Sequence, residues 1–363
     1  MLGGRRLVPV VKMAGLATNP LSLLIALVGL RKSVTVRLRN GLSLTINEGT
    51  RGIAIRILYN IVRLRAKGIE IEEQAGRLTV MISPTHKLDF EVSNFSSVEI
   101  LNLVELILFG VIYGVQVMPK GKASMVWPSR SLTLDFNTKI LETHDGCKFN
   151  LADIQAYTLI ETFYMGMHSF LTEEDMTNQT VLDVGAQAGD TAVYFARKGA
   201  LVFAVEPVEG NFNALLRNVQ LNRDLSHRIR PIRAAIGKTG PVTMYTKEGL
   251  IDGGASAYYK MGPLAERVQS YTMSELLERE GMKSVDILKM DCKGCELELK
   301  PEDLARIRRK LEIAYTTRGY VELNGLISLI EDAGFDPQII RLDPLSRSSV
   351  AKECGIFASR KIP

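Results

Sequence analysis

Apolar and polar residues change period several times along this chain, and each change marks an element. Residues 34–46 (VTVRLRNGLSLTI) alternate apolar and polar about Asn40-Gly41, which predicts a β-hairpin. Over 51–67 the period becomes helical, with Ile53, Ile57, Ile61 and Leu64 on one stripe and Arg56, Asn60, Arg63 and Lys67 on another face. Residues 69–71 and 78–82 read as strands around a turn at Ala75-Gly76, and 100–118 as a buried helix running into a strand. A shift of 46 residues places 44–46 on 90–92 and 68–71 on 114–117. The same shift carries Ile55, Ile57, Ile61 and Val62 onto Leu101, Leu103, Ile107 and Leu108. The pattern predicts a two-fold strand–helix–strand repeat over 36–136, too few copies for a solenoid. Two more strands are expected within 132–150, around His144-Asp145-Gly146.

From 151 onward the rhythm is that of alternating strands and helices. A helix over 151–167 leads to strand 180–184, helix 189–198, strand 201–205, helix 208–222 and strand 229–235. After a less regular stretch come helix 272–280, strand 285–290, a short helix from 296, strand 311–316, helix 322–333 and strands near 337–342 and 354–360. This alternation predicts an α/β fold, a mostly parallel sheet covered on both faces. It is preceded by an α+β accessory domain, with 1–150 as the first domain and 151–363 as the second.

The densest chemistry lies at 181–196, VLDVGAQAGDTAVYFA, where a strand runs through Asp183 into Gly185 and Gly189 and then into a helix. The next apolar run, 201–205, ends on Glu206. That layout is a βαβ unit able to hold a nucleoside, with Glu206 accepting bonds from ribose hydroxyls. A dinucleotide fingerprint needs GxGxxG and seats a pyrophosphate. Here the glycines are four apart and Asp183 stands at the mouth of the loop, an acid that repels phosphate and orients an ammonium. The pattern therefore favours S-adenosylmethionine over NAD. Asp190 and Thr191 line the cofactor tail or serve the helix N-terminus, and Asn211 supports the ribose site or starts its helix.

Residues 183–191 (DVGAQAGDT), 203–207 (FAVEP) with Asn211, Asn218 and Asn222, and 285–296 (VDILKMDCKGCE) together resemble the FkbM family of methyltransferases, which has the Rossmann-like class I fold. A looser match covers 254–256 and 268–277, and the resemblance spans about 150–360. It implies an antiparallel last strand, S-adenosylmethionine as cofactor, and O-methylation of a sugar, polyketide or similar hydroxyl. The chain departs from the family where Lys293 replaces a usual Glu, and where Ala314 and Thr316 replace the acid and histidine of an "IEYH" run. Asp291 is the candidate general base, or else a cofactor ligand or turn cap. Lys293 is a candidate for an anionic acceptor, or else a solvated lysine, and Ser256 is a substrate-side candidate. The four histidines, His86, His144, His168 and His227, lie apart from the motifs.

Composition adds a partner question. Residues 1–150 carry 19 Lys/Arg against 11 Asp/Glu, and residues 1–67 carry 12 against one, whereas 151–363 carry 26 against 29. Such asymmetry suits an anionic partner, whether RNA, an acidic membrane surface or a charged substrate, or is a plain solvated face. Four cysteines are too few for a disulfide framework. Cys292-x-x-Cys295 has redox or metal spacing, but no second pair completes a zinc site, so no metal is expected and the pair reads first as small residues in a turn, with redox work as the alternative. The apolar run 21–30, behind Arg5, Arg6 and Lys12, is too short to span a bilayer. A cytoplasmic protein is expected, and the alternative is peripheral membrane attachment through a helix at 16–30. Three readings remain: an O-methyltransferase acting on a sugar-like hydroxyl, a cofactor-binding subunit without catalysis, and an RNA methyltransferase using the basic N-terminal region.

Overall fold

The computed structural model describes residues 13–27, 31–47, 50–83, 86–120, 131–246, 253–260, 262–317, 320–340 and 352–361. The chain divides into two compact units after Met165. Arg5, Arg6, Lys12 and residues 28–30 lie outside the described residues, as do 341–351. No helix among the described residues is long and apolar enough to cross a membrane.

The first unit opens with α1 (Pro20–Leu27) and the hairpin β1 (Ser33–Arg37) and β2 (Ser43–Asn47), antiparallel with Val36 opposite Leu44. Gly41 is needed at its turn: its φ is +93°, and a Cβ there would lie 1.8 Å from the Glu73 carbonyl oxygen. Helix α2 (Arg51–Arg65) buries Ile53, Ile57, Ile61 and Leu64, as its period requires. The expected polar face is only partly solvated. Asn60 is buried and Arg56 half-buried, and both bond Glu105 of the later helix α3 (Ser97–Tyr113). A buried carboxylate demands such partners, which periodicity alone does not reveal.

Between these helices run β3 (Glu70–Gln74), β4 (Arg77–Ser83) and β5 (His86–Glu91), one antiparallel sheet. Helices α2 and α3 begin 46 residues apart, and so do β3 and β6 (Gln116–Pro119). Ser96 and Glu99 close a capping box on α3, worth about 1 kcal/mol. Strand β6 is joined by β7 (Ser131–Asp135), β8 (Ile140–Glu142) and β9 (Lys148–Asn150), so 131–150 holds three strands rather than two. The helix expected over 151–167 is shorter, α4 (Ala156–Phe163), and belongs to the first unit. Asn102 of α3 fixes the approach to it by donating to the Leu151 and Ile154 carbonyls, and Leu159, Ile160 and Phe163 are buried.

The second unit is built on β10 (Thr180–Val184), α5 (Asp190–Arg197), β11 (Leu201–Val205), α6 (Glu209–Leu221) and β12 (Ile229–Ile232). A small three-stranded sheet follows, β13 (Ala235–Ile236), β14 (Gly240–Thr246) and β15 (Leu264–Tyr271). The chain then continues through α7 (Met273–Arg279), β16 (Val285–Met290), α8 (Pro301–Ala305), β17 (Ile307–Thr317), α9 (Tyr320–Asp332), β18 (Phe335–Ile340) and β19 (Lys352–Arg360). The main sheet has the order β12-β11-β10-β16-β17-β19-β18. Strands β10, β11, β12, β16 and β17 run parallel, and β19 is antiparallel to both its neighbours.

All six residues of β16 are buried, which suits a central parallel strand covered on both faces. Strand order reverses between β10 and β16, because the chain leaves β10 toward β12 and returns on the other side. In such sheets a crevice opens beyond the carboxyl ends of the strands at the reversal.

Candidate functional site

The crevice is framed by the loop after β10. Gly185 has φ +78°, and a Cβ on it would sit 2.1 Å from the Asp291 carbonyl oxygen at the exit of β16. Gly189, with φ +87°, ends the loop at the start of α5. Asn218 of α6 donates to the Ala188 carbonyl and ties the loop down. The backbone of 185–189 is therefore held close to the ends of both strands.

Glu206 follows β11 and is 4 % exposed. Its carboxylate accepts from the backbone N–H of Gln187 at 2.8 Å and of Val208 at 2.9 Å, and from Asn211 Nδ2 at 3.2 Å. Burial pushes its pKa up to about 7, although these donors act against the rise. Asn211 is thus placed to orient Glu206.

Asp183 stands elsewhere than the sequence suggests. It is wholly buried rather than at the mouth of the loop. Lys289 Nζ lies 2.9 Å from its Oδ1, and the Thr191 hydroxyl donates to its Oδ2. Its charge is spent on these partners, so it holds the floor of the crevice and does not face a ligand. The correction has a simple cause: Asp183 and Lys289 are direct neighbours in register on β10 and β16, and Lys289 is aligned with Glu312 on β17. Lys289 also donates to the Gly185 carbonyl at 3.1 Å. Burial opposes its ammonium, yet Asp183 and Asp291 outweigh burial and raise its pKa.

Glu312 in turn meets His168 Nδ1 at 2.9 Å, both buried. Burial works against the imidazolium, but Glu312 outweighs it and the His168 pKa rises. Sequence reading left out Lys289, Glu312 and His168. The signal for the first two was a charged residue inside an otherwise apolar strand, since such residues are buried only when paired. His168 offered none, because its partner is 144 residues away.

Asp291 leaves β16 with its N–H on the Val184 carbonyl, and its side chain is 35 % exposed. Lys293 Nζ is 2.7 Å from its Oδ1. Burial works to raise the Asp291 pKa, but Lys293 and Lys289 outweigh it and hold the carboxyl below the usual range. Lys293 is therefore neither solvated nor open to an anionic acceptor: its side chain is 13 % exposed and its ammonium is engaged by Asp291. Ser256 is corrected too. It is fully buried, its hydroxyl donates to the Lys293 carbonyl at 2.7 Å, and it accepts from the N–H groups of Tyr258 and Tyr259. It shapes the loop and does not reach a substrate.

The cysteine pair in the same loop is bonded, Cys292 to Cys295, where the sequence favoured small residues in a turn over redox or metal work. Asp190 is buried at the first turn of α5. Ala314 offers no polar group on β17, and only the backbone of Thr316 is described. With Asp183 neutralised by Lys289 and Asp291 paired with Lys293, the crevice is left with the carboxyl groups of Asp190 and Glu206. The balance is negative, which suits a cationic nucleoside and opposes a pyrophosphate.

Residues 183–337 match the family described as the methyltransferase FkbM domain. No curated protein matches the chain. Solved structures similar to it include a methyltransferase FkbM from Methylobacillus flagellatus KT, at 18% identity and TM-score 0.37, covering 52% of this chain and 45% of that one. Magnesium protoporphyrin IX methyltransferase from Synechocystis PCC 6803 with bound SAM has 11% identity and TM-score 0.36, covering 58% and 83%. TYW2 of M. jannaschii in complex with AdoMet has 14% identity and TM-score 0.35, covering 68% and 98%. Likeness at this level bears no functional weight.

Proposed function

Because residues 183–337 are a methyltransferase FkbM domain on a Rossmann-like class I sheet, we propose that the protein methylates a hydroxyl oxygen of a sugar or similar small molecule, with S-adenosylmethionine as donor. The observation that carries this reading is the placement of Glu206. A buried carboxylate, held by two backbone N–H groups at the end of β11 and beside a glycine loop, is a ready acceptor for two vicinal hydroxyls. Glu206 and Asn211 would hold the ribose, and the 185–189 backbone would hold the tail. When bound, the cofactor supplies an electrophilic methyl group.

The chain's own task is to align the acceptor and remove its proton. Alignment is worth on the order of 7 kcal/mol in favourable cases. Asp291 is the proton acceptor in this reading, because it is the partly exposed carboxylate of the set and closes the strand next to the glycine loop. Its pairing with Lys293 keeps it ionised at neutral pH and ready to accept, at some loss of basicity.

The test is calorimetric titration with S-adenosylmethionine, then methyl transfer from labelled donor to fractionated cell extract. We expect Glu206→Gln to weaken donor binding, and Asp291→Asn to keep it while slowing transfer by about 10²–10⁴-fold. Donor binding with no transfer to any fraction would favour a subunit without catalysis, and no donor binding at all would remove the reading.

A further inference from the structure

The loop that carries Asp291 and Lys293 also carries a bond that its fold does not need. Cys292 and Cys295 are three residues apart and joined as a disulfide. Cross-links stabilise mainly by restricting the unfolded chain, and the benefit falls as the closed loop shortens, so a ring this small gains the least. The loop is already held by hydrogen bonds to its backbone: Asp291 N–H donates to the Val184 carbonyl, Gly294 N–H donates to Glu296 Oε2, and the Lys293 carbonyl accepts from Ser256 Oγ. A bond that adds little to the fold points to chemistry.

The surroundings of the two sulfurs are unequal. Cys292 is half-buried, while Cys295 is 2 % exposed and belongs to the apolar core with Leu299, Tyr315 and Cys354. Glu296 is wholly buried, its Oε2 is 3.3 Å from Cys292 Sγ, and its Oε1 has no hydrogen-bond partner. Burial raises its pKa, so it is a carboxylate able to hold a proton beside a thiol. One reachable sulfur, one sheltered sulfur and an adjacent proton carrier are what a thiol–disulfide exchange site requires.

We propose that Cys292 and Cys295 form a reversible thiol–disulfide exchange site in the wall of the crevice, with an external dithiol as its reductant. One thiolate of the dithiol attacks Cys292 Sγ, the reachable sulfur. The Cys292–Cys295 bond breaks, and its electron pair leaves on Cys295 as a thiolate, which takes a proton. The second thiolate of the dithiol then attacks its own sulfur in the mixed disulfide and expels Cys292 as a thiolate. Two electrons pass to the protein, leaving two protein thiols and one oxidised dithiol. In the reverse direction Glu296 takes the proton from Cys292 as it becomes a nucleophile. The site stands independently of methyl transfer.

The full chain is equilibrated in buffers of reduced and oxidised dithiothreitol, with glutathione disulfide kept for the single variants, then quenched with N-ethylmaleimide and mapped by mass spectrometry, with bound zinc measured beforehand on the untreated chain. The expected result is a reversible two-electron transition in which Cys292 and Cys295 gain and lose label together, while Cys147 and Cys354, both buried thiols, stay unlabelled. A pair that stays bonded in the fully reduced buffer until the protein unfolds overturns the proposal. So does a pair that never bonds in the oxidised buffer, or thiols protected by one zinc ion per chain, since the two sulfurs and a Glu296 oxygen lie within 4.8 Å of one another. In the single variants, Cys295→Ser should trap glutathione on Cys292 about tenfold faster than Cys292→Ser traps it on Cys295. Equal rates would remove the assignment of Cys292 as the attacked sulfur, and the wild-type titration stands if either variant fails to fold.

Discussion

At Glu206 a single carboxyl sets a pH dependence of stability. Folded, it holds its proton up to about pH 7, whereas an unfolded Glu releases it near 4.3. Between those values the folded chain binds the extra proton, so stability falls as pH rises through the window. Glu206→Gln removes that slope. Urea unfolding at pH 4.5 and 8 should show the wild type losing about 2–3 kcal/mol more than the variant, and identical losses would mean that Glu206 titrates like a solvated acid. A second residue-scale effect lies at Lys293. With its ammonium 2.7 Å from Asp291, the carboxylate stays ionised well into the acid range. Lys293→Met removes the larger attraction and leaves burial opposed by Lys289 and the more weakly acting His168. The acid limb of the methyl-transfer profile should then move to higher pH, and an unmoved limb would show that another group takes the proton.

The elements of the crevice are joined by a row of buried charges crossing three strands, Asp183 on β10, Lys289 on β16 and Glu312 on β17, with His168 closing the row. Removing one member leaves its partner charged and unsatisfied, at a cost of about 3–5 kcal/mol. His168→Leu should therefore destabilise the protein by that amount in urea unfolding. His168→Leu with Glu312→Leu should recover most of the loss, since apolar pairs often replace buried ion pairs without penalty. Additive losses would show that the two side chains do not act as a pair. This row also marks how far the sequence could be read. The helical and parallel-strand elements around Gly185, Glu206 and Asp291 follow from local period and glycine spacing. Strands β14 and β15 do not, because Leu264–Tyr271 carries Glu266, Arg267 and Gln269 among its apolar positions and shows no clean alternation. Asp183 was legible as a strand-end acid, but its register partner Lys289 lies 106 positions along the chain. Its neutralisation follows only from the pairing of β10 with β16. Ser256 failed for the same reason: its target, the Lys293 carbonyl, is 37 residues away.

For the molecule as a whole, the donor site proposed here is made by the second unit alone, since every residue in it lies beyond Met165. The first unit brings its own core, with Leu58, Leu101, Leu103 and Phe90 wholly buried, and a pair of helices clamped by Arg56, Asn60 and Glu105. A ligand that binds only the folded second unit stabilises that unit by mass action, by about 2.7 kcal/mol at a concentration one hundred times its Kd. Amide hydrogen exchange on the full chain locates that gain, because protection rises in the segments whose opening the ligand opposes. S-adenosylmethionine should slow exchange at 184–191, 205–211 and 290–296 and leave 33–83 and 97–113 unchanged. Protection confined to the first unit would move the donor site away from Glu206 and Asp291. Protection in both would show that donor binding is coupled to the opening of the first unit.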